Sequence, residues 1–246
     1  MSPENAELQV TNAANAHHEE HVSGAETIRD IVIGMSDGLT VPFALAAGLS
    51  GAISSTNLII IAGLAEIAAG SIAMGLGGYL AGKTEVDHYN SEMKREYDEV
   101  EKVPEIEKQE LRTFFSSLGL SQEIQHEAVE EVTKDKDKWV ELMMKYELGL
   151  EKPDPKRARK SAFNIGFSYI VGGLIPLSPY FFVANGIEGL KISTLITLVC
   201  LFIFGYLKSK FAGVNPWTGA FRVMMIGAIA AGCAFGIARL IEKGHY

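Results

Sequence analysis

Five long apolar stretches constrain the fold of this chain more than any other feature of its sequence. A helix that crosses a lipid bilayer needs about 20 mostly apolar residues. Five segments reach or approach that length, at 31–53, 58–82, 162–183, 187–207 and 221–241. The sequence therefore predicts an all-α, polytopic membrane protein with five transmembrane helices embedded in the lipid bilayer.

The N-terminal segment has a different character. Residues 1–26 are polar and acidic and show no apolar periodicity, so they predict a disordered tail. They contain neither the basic start nor the apolar core of a secretory signal peptide, and we expect the first transmembrane helix to act as the insertion signal. His17, His18 and His21 could capture metal weakly, but the favoured interpretation is a tail that binds nothing.

A hydrophilic insert separates the predicted transmembrane segments 27–83 and 156–246. Residues 84–152 carry 19 acidic and 10 basic side chains, a net charge of −9 against −8 for the whole chain. Apolar residues recur there at helical spacing and are interrupted by proline and glycine, which predicts three short amphipathic helices. We expect residues 84–155 to form a small acidic metal-binding domain, with no interaction with nucleic acid.

Basic residues flank the predicted helices unevenly, and this asymmetry indicates their orientation. A basic run at 156–160 precedes the third helix, and Lys208 and Lys210 follow the fourth, whereas the turn at 54–57 is uncharged. Because short loops rich in Lys and Arg stay in the cytosol, the N-terminus and the insert are predicted to be cytosolic. Five crossings then place the C-terminus on the far side of the membrane.

Two carboxylates inside apolar helices are the most informative residues. Asp37 and Glu66 are the only charged residues in 31–82. An ionisable group there costs at least about 2.5 kcal/mol and usually serves a pathway, although a structural hydrogen bond is the alternative. Met74 follows Glu66 by eight residues and shares its helix face, and a thioether suits iron better than Mg²⁺ or Ca²⁺. A single methionine in a membrane helix is more often a packing residue.

The insert contains a second group of candidate ligands. Two Glu-x-x-Glu pairs flank Pro104, and a Met-Met-x-x-Glu element follows near the end of the insert. Carboxylates at this spacing repel one another unless a cation binds, although a solvated acidic face is the ordinary alternative. Carboxylates combined with thioethers fit Fe²⁺ better than alkaline-earth ions. The candidate ligands are Glu96, Glu99, Glu107, Glu110, Met143, Met144 and Glu147.

Three segments together resemble the vacuolar iron transporter family. They are SDGLTVPFALAAGLSGA at 36–52, EIAAGSIAMGLGGYLA at 66–81 and GGLIPLSPY at 172–180. The resemblance implies a homodimer of five-span subunits in the vacuolar membrane. Such a protein exchanges cytosolic Fe²⁺, and often Mn²⁺, for vacuolar protons; it is a transporter and not an enzyme, and it carries no prosthetic group.

The resemblance also implies roles for particular residues. The family's membrane pathway uses an Asp in the first helix and a Glu and a Met in the second, which match Asp37, Glu66 and Met74. Its cytosolic ligands are paired glutamates and a Met-Met-x-x-Glu element, which match the seven candidates in the insert. One branch of the family lacks the insert, so this chain resembles the insert-bearing type.

A membrane-tethered di-iron carboxylate oxidase is an alternative, because such enzymes bind iron through Glu-x-x-His pairs on helices. Glu85 with His88, and Glu123 with His126, have this spacing. They lie outside the Glu-x-x-Glu pairs, and oxidase chemistry gives no role to acids inside the membrane. A membrane-anchored acidic scaffold is a further alternative, and it also gives no role to Asp37 and Glu66 inside the membrane. The sequence therefore favours transport.

Overall fold

The computed structural model describes residues 3–243, with side chains described from residue 24 onward. Its helices are α1 (Pro3–Ala52), α2 (Thr56–Lys102), α3 (Pro104–Ser117), α4 (Gln122–Val132), α5 (Lys136–Tyr146), α6 (Arg157–Leu177), α7 (Gly186–Phe211) and α8 (Pro216–Lys243). A short 3-10 helix, Ser178–Phe181, follows α6. The described backbone of α1 begins at Pro3, within the segment predicted to be a disordered tail. The histidines there lie outside the described side chains, so their role remains a prediction.

The chain divides into two compact units. The bundle unit comprises Met1–Tyr79 and Arg159–Tyr246, and the insert unit comprises Leu80–Ala158. Helix α2 begins in the first unit and ends in the second. Residues 58–102 contain no proline, and α2 accordingly forms one uninterrupted helix, as the sequence predicts.

Five helices among the described residues are long and apolar enough to cross a membrane, so the predicted fold class is confirmed. Their most apolar windows have mean hydropathies between 1.3 and 2.1. In α2 the charge-free stretch ends at Gly82, and the residues beyond it are too polar to lie within a bilayer. The five helical segments are Gly24–Ala52, Thr56–Lys102, Arg157–Phe181, Gly186–Phe211 and Pro216–Lys243.

Glycine allows the backbones of α1 and α6 to touch. A Cβ atom at Gly38 would lie 2.9 Å from the Cα atom of Tyr169, and one at Gly172 would lie 3.0 Å from the backbone nitrogen of Leu39. Small residues at such crossings are typical of packed membrane helices. Pro42 lies inside α1 without ending it. The segment of α1 that carries Asp37 is therefore held directly against α6.

The insert unit has its own apolar core. It is built from the end of α2 and from α3, α4 and α5, the three helices that the apolar spacing predicts. The side chain of Asp135 starts α5 by accepting hydrogen bonds from the backbone N–H groups of Asp137 and Lys138, at 3.1 and 3.3 Å. The buried core residues are Val100, Leu111, Val129, Trp139, Val140, Met143 and Met144.

Candidate metal centre and membrane-embedded acids

Three carboxylates from different parts of the insert unit converge on one point. Glu96 lies on α2, Glu107 in the first turn of α3, and Glu147 at the C-terminal cap of α5. One carboxylate oxygen from each lies within 4.8 Å of the other two, which is close enough for a single metal ion to bind all three. We call this group the three-carboxylate cluster.

Two members of the three-carboxylate cluster are buried without a hydrogen-bond donor for one of their oxygens. Glu96 is 1% exposed and Glu107 is 4% exposed. The Oε2 atoms of both side chains are buried and have no hydrogen-bond partner in the described structure. A buried, unsatisfied carboxylate destabilises a fold unless it is protonated or binds a cation. The cluster therefore has the chemistry of a cation site.

The pKa values of the cluster reflect the same electrostatic conflict. Burial, reinforced by repulsion from Glu147 and Glu99, raises the pKa of Glu96 to about 7. Burial, reinforced by Glu110 and Glu96, raises the pKa of Glu107 to about 7. Burial and the charge of Glu110 also raise the pKa of Glu147. Glu96 and Glu107 are therefore partly protonated near neutral pH, and a divalent cation would displace those protons.

The remaining predicted ligands of the insert surround the cluster in two ways. Glu99 and Glu110 act on it electrostatically, and the side chain of Glu99 is 40% exposed. Met143 and Met144 are 2% and 1% exposed and belong to the apolar core. The carbonyl of Met143 accepts a 2.9 Å hydrogen bond from the backbone N–H of Glu147, which fixes that glutamate at the end of α5. The ligand roles of these residues remain predictions.

The Glu-x-x-His pairs do not contribute to the cluster. Of the described residues, those that converge at metal-binding distance are glutamates, and neither His88 nor His126 is among them. The Nδ1 atom of His88 instead lies 3.9 Å from Glu92 on the same helix. The geometry gives a di-iron oxidase no support.

In the bundle unit, Glu66 is held by a residue that the sequence reasoning did not identify. The hydroxyl group of Tyr169 on α6 donates a hydrogen bond to Oε1 of Glu66, whereas Oε2 is buried and has no hydrogen-bond partner among the described residues. Tyr169 is itself 3% exposed. One oxygen of Glu66 is thus fixed, and the other is left available to a proton or a cation.

Tyr169 links the two acids of the bundle unit. Its backbone packs against Gly38, the residue after Asp37, and its ring fills the space beside Gly70, one turn after Glu66. A Cβ atom at Gly70 would lie only 2.6 Å from the Cζ atom of that ring. The sequence alone gives little indication of this role, because tyrosine is common in apolar helices and only the fold shows that its hydroxyl group contacts a carboxylate.

Glu66 also faces an open groove of about 510 Å³ between α1, α2 and α8. Thr40 and Gly48 of α1 and Ala230 and Ala234 of α8 line it, and Glu66 is the charged residue in its wall. Met74 lies two turns further along α2 and is partly buried. An acid that faces a groove between apolar membrane helices is typical of an ion pathway.

Taken together, these features define a class: a polytopic helical membrane protein with acids in its bundle and, in its insert, a carboxylate cluster with two buried members. The sequence profile of the VIT family matches residues 28–239. The chain is 50% identical over 226 residues to "Vacuolar iron transporter 1" of Arabidopsis thaliana, covering 92% of this chain and 90% of that relative. The chain therefore belongs to the VIT family.

Further relatives give the same result. "Vacuolar iron transporter 1" of Tulipa gesneriana is 47% identical over 232 residues, which cover 94% of each chain. "Protein CCC1" of Saccharomyces cerevisiae (strain ATCC 204508 / S288c) is 38% identical over 224 residues, covering 87% of this chain and 69% of the relative. The similarity therefore includes both the bundle unit and the insert unit.

Proposed function

We propose that this protein transports Fe²⁺ into the vacuole across the vacuolar membrane. The observation that carries the proposal is the three-carboxylate cluster, two buried glutamates and one exposed glutamate that can bind a divalent cation, in a chain whose relatives are named vacuolar iron transporters. The five membrane-spanning helices supply the route, and the acids of the bundle supply charge along it. Other divalent transition metals, Mn²⁺ among them, fit the same ligand set.

The insert and the bundle have separate tasks in this proposal. The insert, on the cytosolic side, collects the metal at Glu96, Glu107 and Glu147, with Glu99, Glu110, Met143 and Met144 as further ligands. Asp37, Glu66 and Met74 then carry it through the membrane. Both groups contain the oxygen and sulfur donors that suit Fe²⁺.

Fe²⁺ transport is coupled to proton movement in the opposite direction. A carboxylate in the membrane cannot bind a proton and a metal ion through the same oxygen, so the two ligands exclude each other. The free oxygen of Glu66 supports this role, because it has no hydrogen-bond partner in the described structure. An acidic lumen protonates the acids and releases the metal there. The N-terminus is cytosolic and the C-terminus lumenal.

The functional unit is a homodimer of these chains in the lipid bilayer, and Fe²⁺ and H⁺ are the transported ions. A di-iron oxidase is the second candidate, and the spacing of its two Glu-x-x-His pairs is its only support. If the purified protein with Fe²⁺ consumes oxygen no faster than Fe²⁺ alone, the oxidase is eliminated.

Reconstitution into vesicles tests transport directly. Proteoliposomes with an acidic interior should accumulate external Fe²⁺ and acidify the medium as protons leave. Dissipating the pH gradient with an ionophore should reduce uptake to the rate of protein-free vesicles. Uptake that continued at the same rate after the gradient was lost would contradict exchange with protons but not transport itself.

A further inference from the structure

Arg95 occupies an unusual position beside the three-carboxylate cluster. Its Nη2 atom lies 2.8 Å from Oε2 of Glu92 and 3.7 Å from Oε1 of Glu96, and its Nε atom lies 3.5 Å from Oε2 of Glu99. Two of these three partners are candidate metal ligands. We propose that Arg95 is a built-in competitor that weakens the binding of a divalent cation at the cluster. This inference rests on the proposed metal site and concerns its regulation.

The charge of Arg95 reaches the cluster. Its guanidinium group lies within ion-pair distance of Glu96, a buried member of the cluster, and of Glu99 beside it. The positive charge therefore stabilises the ionised carboxylates while no metal is bound. A guanidinium group is permanently charged and donates only, so it repels a metal ion whatever the pH.

The contacts of Arg95 are suited to exchange. Only the contact with Glu92 has hydrogen-bond length, and the contacts with Glu96 and Glu99 are longer ion pairs. The Arg95 side chain is 50% exposed, so water can solvate it when it moves away. When a divalent ion binds Glu96, the guanidinium group loses its attraction to the cluster and is displaced. When the ion leaves, the guanidinium group returns and helps to prevent rebinding.

A purely structural role for Arg95 predicts the opposite effect. If Arg95 served to orient Glu96 and Glu99 as ligands, its removal would disorder them and weaken metal binding. If it competes with the metal, its removal strengthens binding. The sign of the change in affinity therefore distinguishes the two roles.

The test is a titration of the detergent-solubilised full-length chain with Mn²⁺ alone, by calorimetry at pH 7.5. Arg95→Gln should bind Mn²⁺ about three- to tenfold more tightly than the wild type, the range expected for screened charges near a protein surface. Arg95→Lys keeps the positive charge and should stay within about twofold of the wild type. Arg112→Gln is the matched control, because Arg112 contacts the neutral side chain of Gln109 and the variant changes the net charge equally.

Each outcome is decisive. Equal or weaker Mn²⁺ binding by Arg95→Gln overturns the inference, and so does tightening of the same size in Arg112→Gln or Arg95→Lys. Glu107→Gln, measured in parallel, reports on the site itself. If the wild type binds and Glu107→Gln does not, but Arg95→Gln leaves the affinity unchanged, the competitor role alone fails. If neither the wild type nor Arg95→Gln binds Mn²⁺, the proposed site and the inference fail together.

Discussion

Glu107 is an acid in the interior of a small helical unit, and its environment explains why it is functionally informative. Its neighbours are other carboxylates, and its Oε2 atom has no hydrogen-bond partner among the described residues. Such a residue destabilises the metal-free fold, so a purely structural explanation would require a compensating donor that the structure does not provide there. A bound cation removes the conflict at the level of this single residue.

Metal binding at the cluster should depend steeply on pH. Glu96 and Glu107 have pKa values of about 7, so each holds a proton at pH 6 that a metal ion must displace. The apparent association constant for Mn²⁺ should therefore fall about tenfold per group between pH 8 and pH 6. Calorimetry in buffers of different ionisation enthalpy measures both the affinity and the protons released.

The control for the pH dependence is the double variant Glu96→Gln/Glu107→Gln. It should bind Mn²⁺ weakly and with little dependence on pH.

The raised pKa values of Glu96 and Glu107 also have a consequence for stability. Both lie above the ordinary value of 4.5, so the metal-free protein should gain stability as the pH falls from about 7 towards 4.5. A wild-type affinity that did not change between pH 8 and pH 6 would contradict these pKa values.

Tyr169 provides a second prediction at the scale of one residue. Tyr169→Phe removes the hydroxyl group that fixes Glu66 and keeps the ring that packs beside Gly70. Loss of a hydrogen bond to a charged group is worth about 1.5–3 kcal/mol, so Fe²⁺ transport in proteoliposomes should fall by about tenfold or more. The variant should also change the dependence of transport on pH, which a general packing defect would not do.

Tyr180→Phe is the matched control for Tyr169→Phe. Its hydroxyl group is also buried in the bundle unit, but its partner is the neutral hydroxyl group of Ser50, at 3.0 Å. Similar losses of transport in both variants, with the pH profile unchanged in each, would show that Tyr169 contributes packing only.

At the scale of helices, the glycines of α1 decide how closely α6 can approach. Gly38→Ala places a Cβ atom against the backbone of Tyr169, which cannot move without shifting α6. Overpacking of this kind costs about 1–3 kcal/mol, so the melting temperature in detergent should fall by several degrees. Gly77→Ala is the control, because nothing lies within 4 Å of its added methyl group. Its melting temperature should be unchanged or slightly higher, since Ala favours helix.

The apolar pattern predicts the helices better than it predicts their buried faces. The five membrane-spanning helices follow from hydropathy, because in a bilayer length and apolarity largely decide the structure. In the insert, Ile106 is one of the apolar residues at helical spacing, yet the structure leaves it 57% exposed and buries Leu111 and Glu107 of α3. A short helix with few apolar residues has several possible orientations, and packing within the core of the insert selects among them.

The candidate site shows the same limit. The Glu-x-x-Glu spacing identifies four glutamates, but only the fold shows that Glu96 and Glu107 are the buried members of their pairs. Met144 is a core residue as well as a candidate ligand, a double role that no local pattern resolves. Tyr169 is separated from Glu66 by 103 positions, so their hydrogen bond arises from tertiary packing alone.

At the scale of the whole molecule, the proposal assigns metal capture and metal translocation to different units. Asp37→Asn and Glu66→Gln keep the shape of each side chain but remove the charge that holds a cation and the site of the exchangeable proton. Each variant should reduce Fe²⁺ uptake by proteoliposomes to near background. Each should also keep the wild-type affinity for Mn²⁺ in calorimetry, because the three-carboxylate cluster lies in the insert unit.

Glu188→Gln, which neutralises an exposed acid at the start of α7, is the matched control and should transport normally. If Asp37→Asn or Glu66→Gln transported Fe²⁺ at the wild-type rate and with the same pH dependence, that residue would have no part in the exchange of metal for protons. If either variant instead lost the calorimetric binding of Mn²⁺, capture and translocation would not be separable steps.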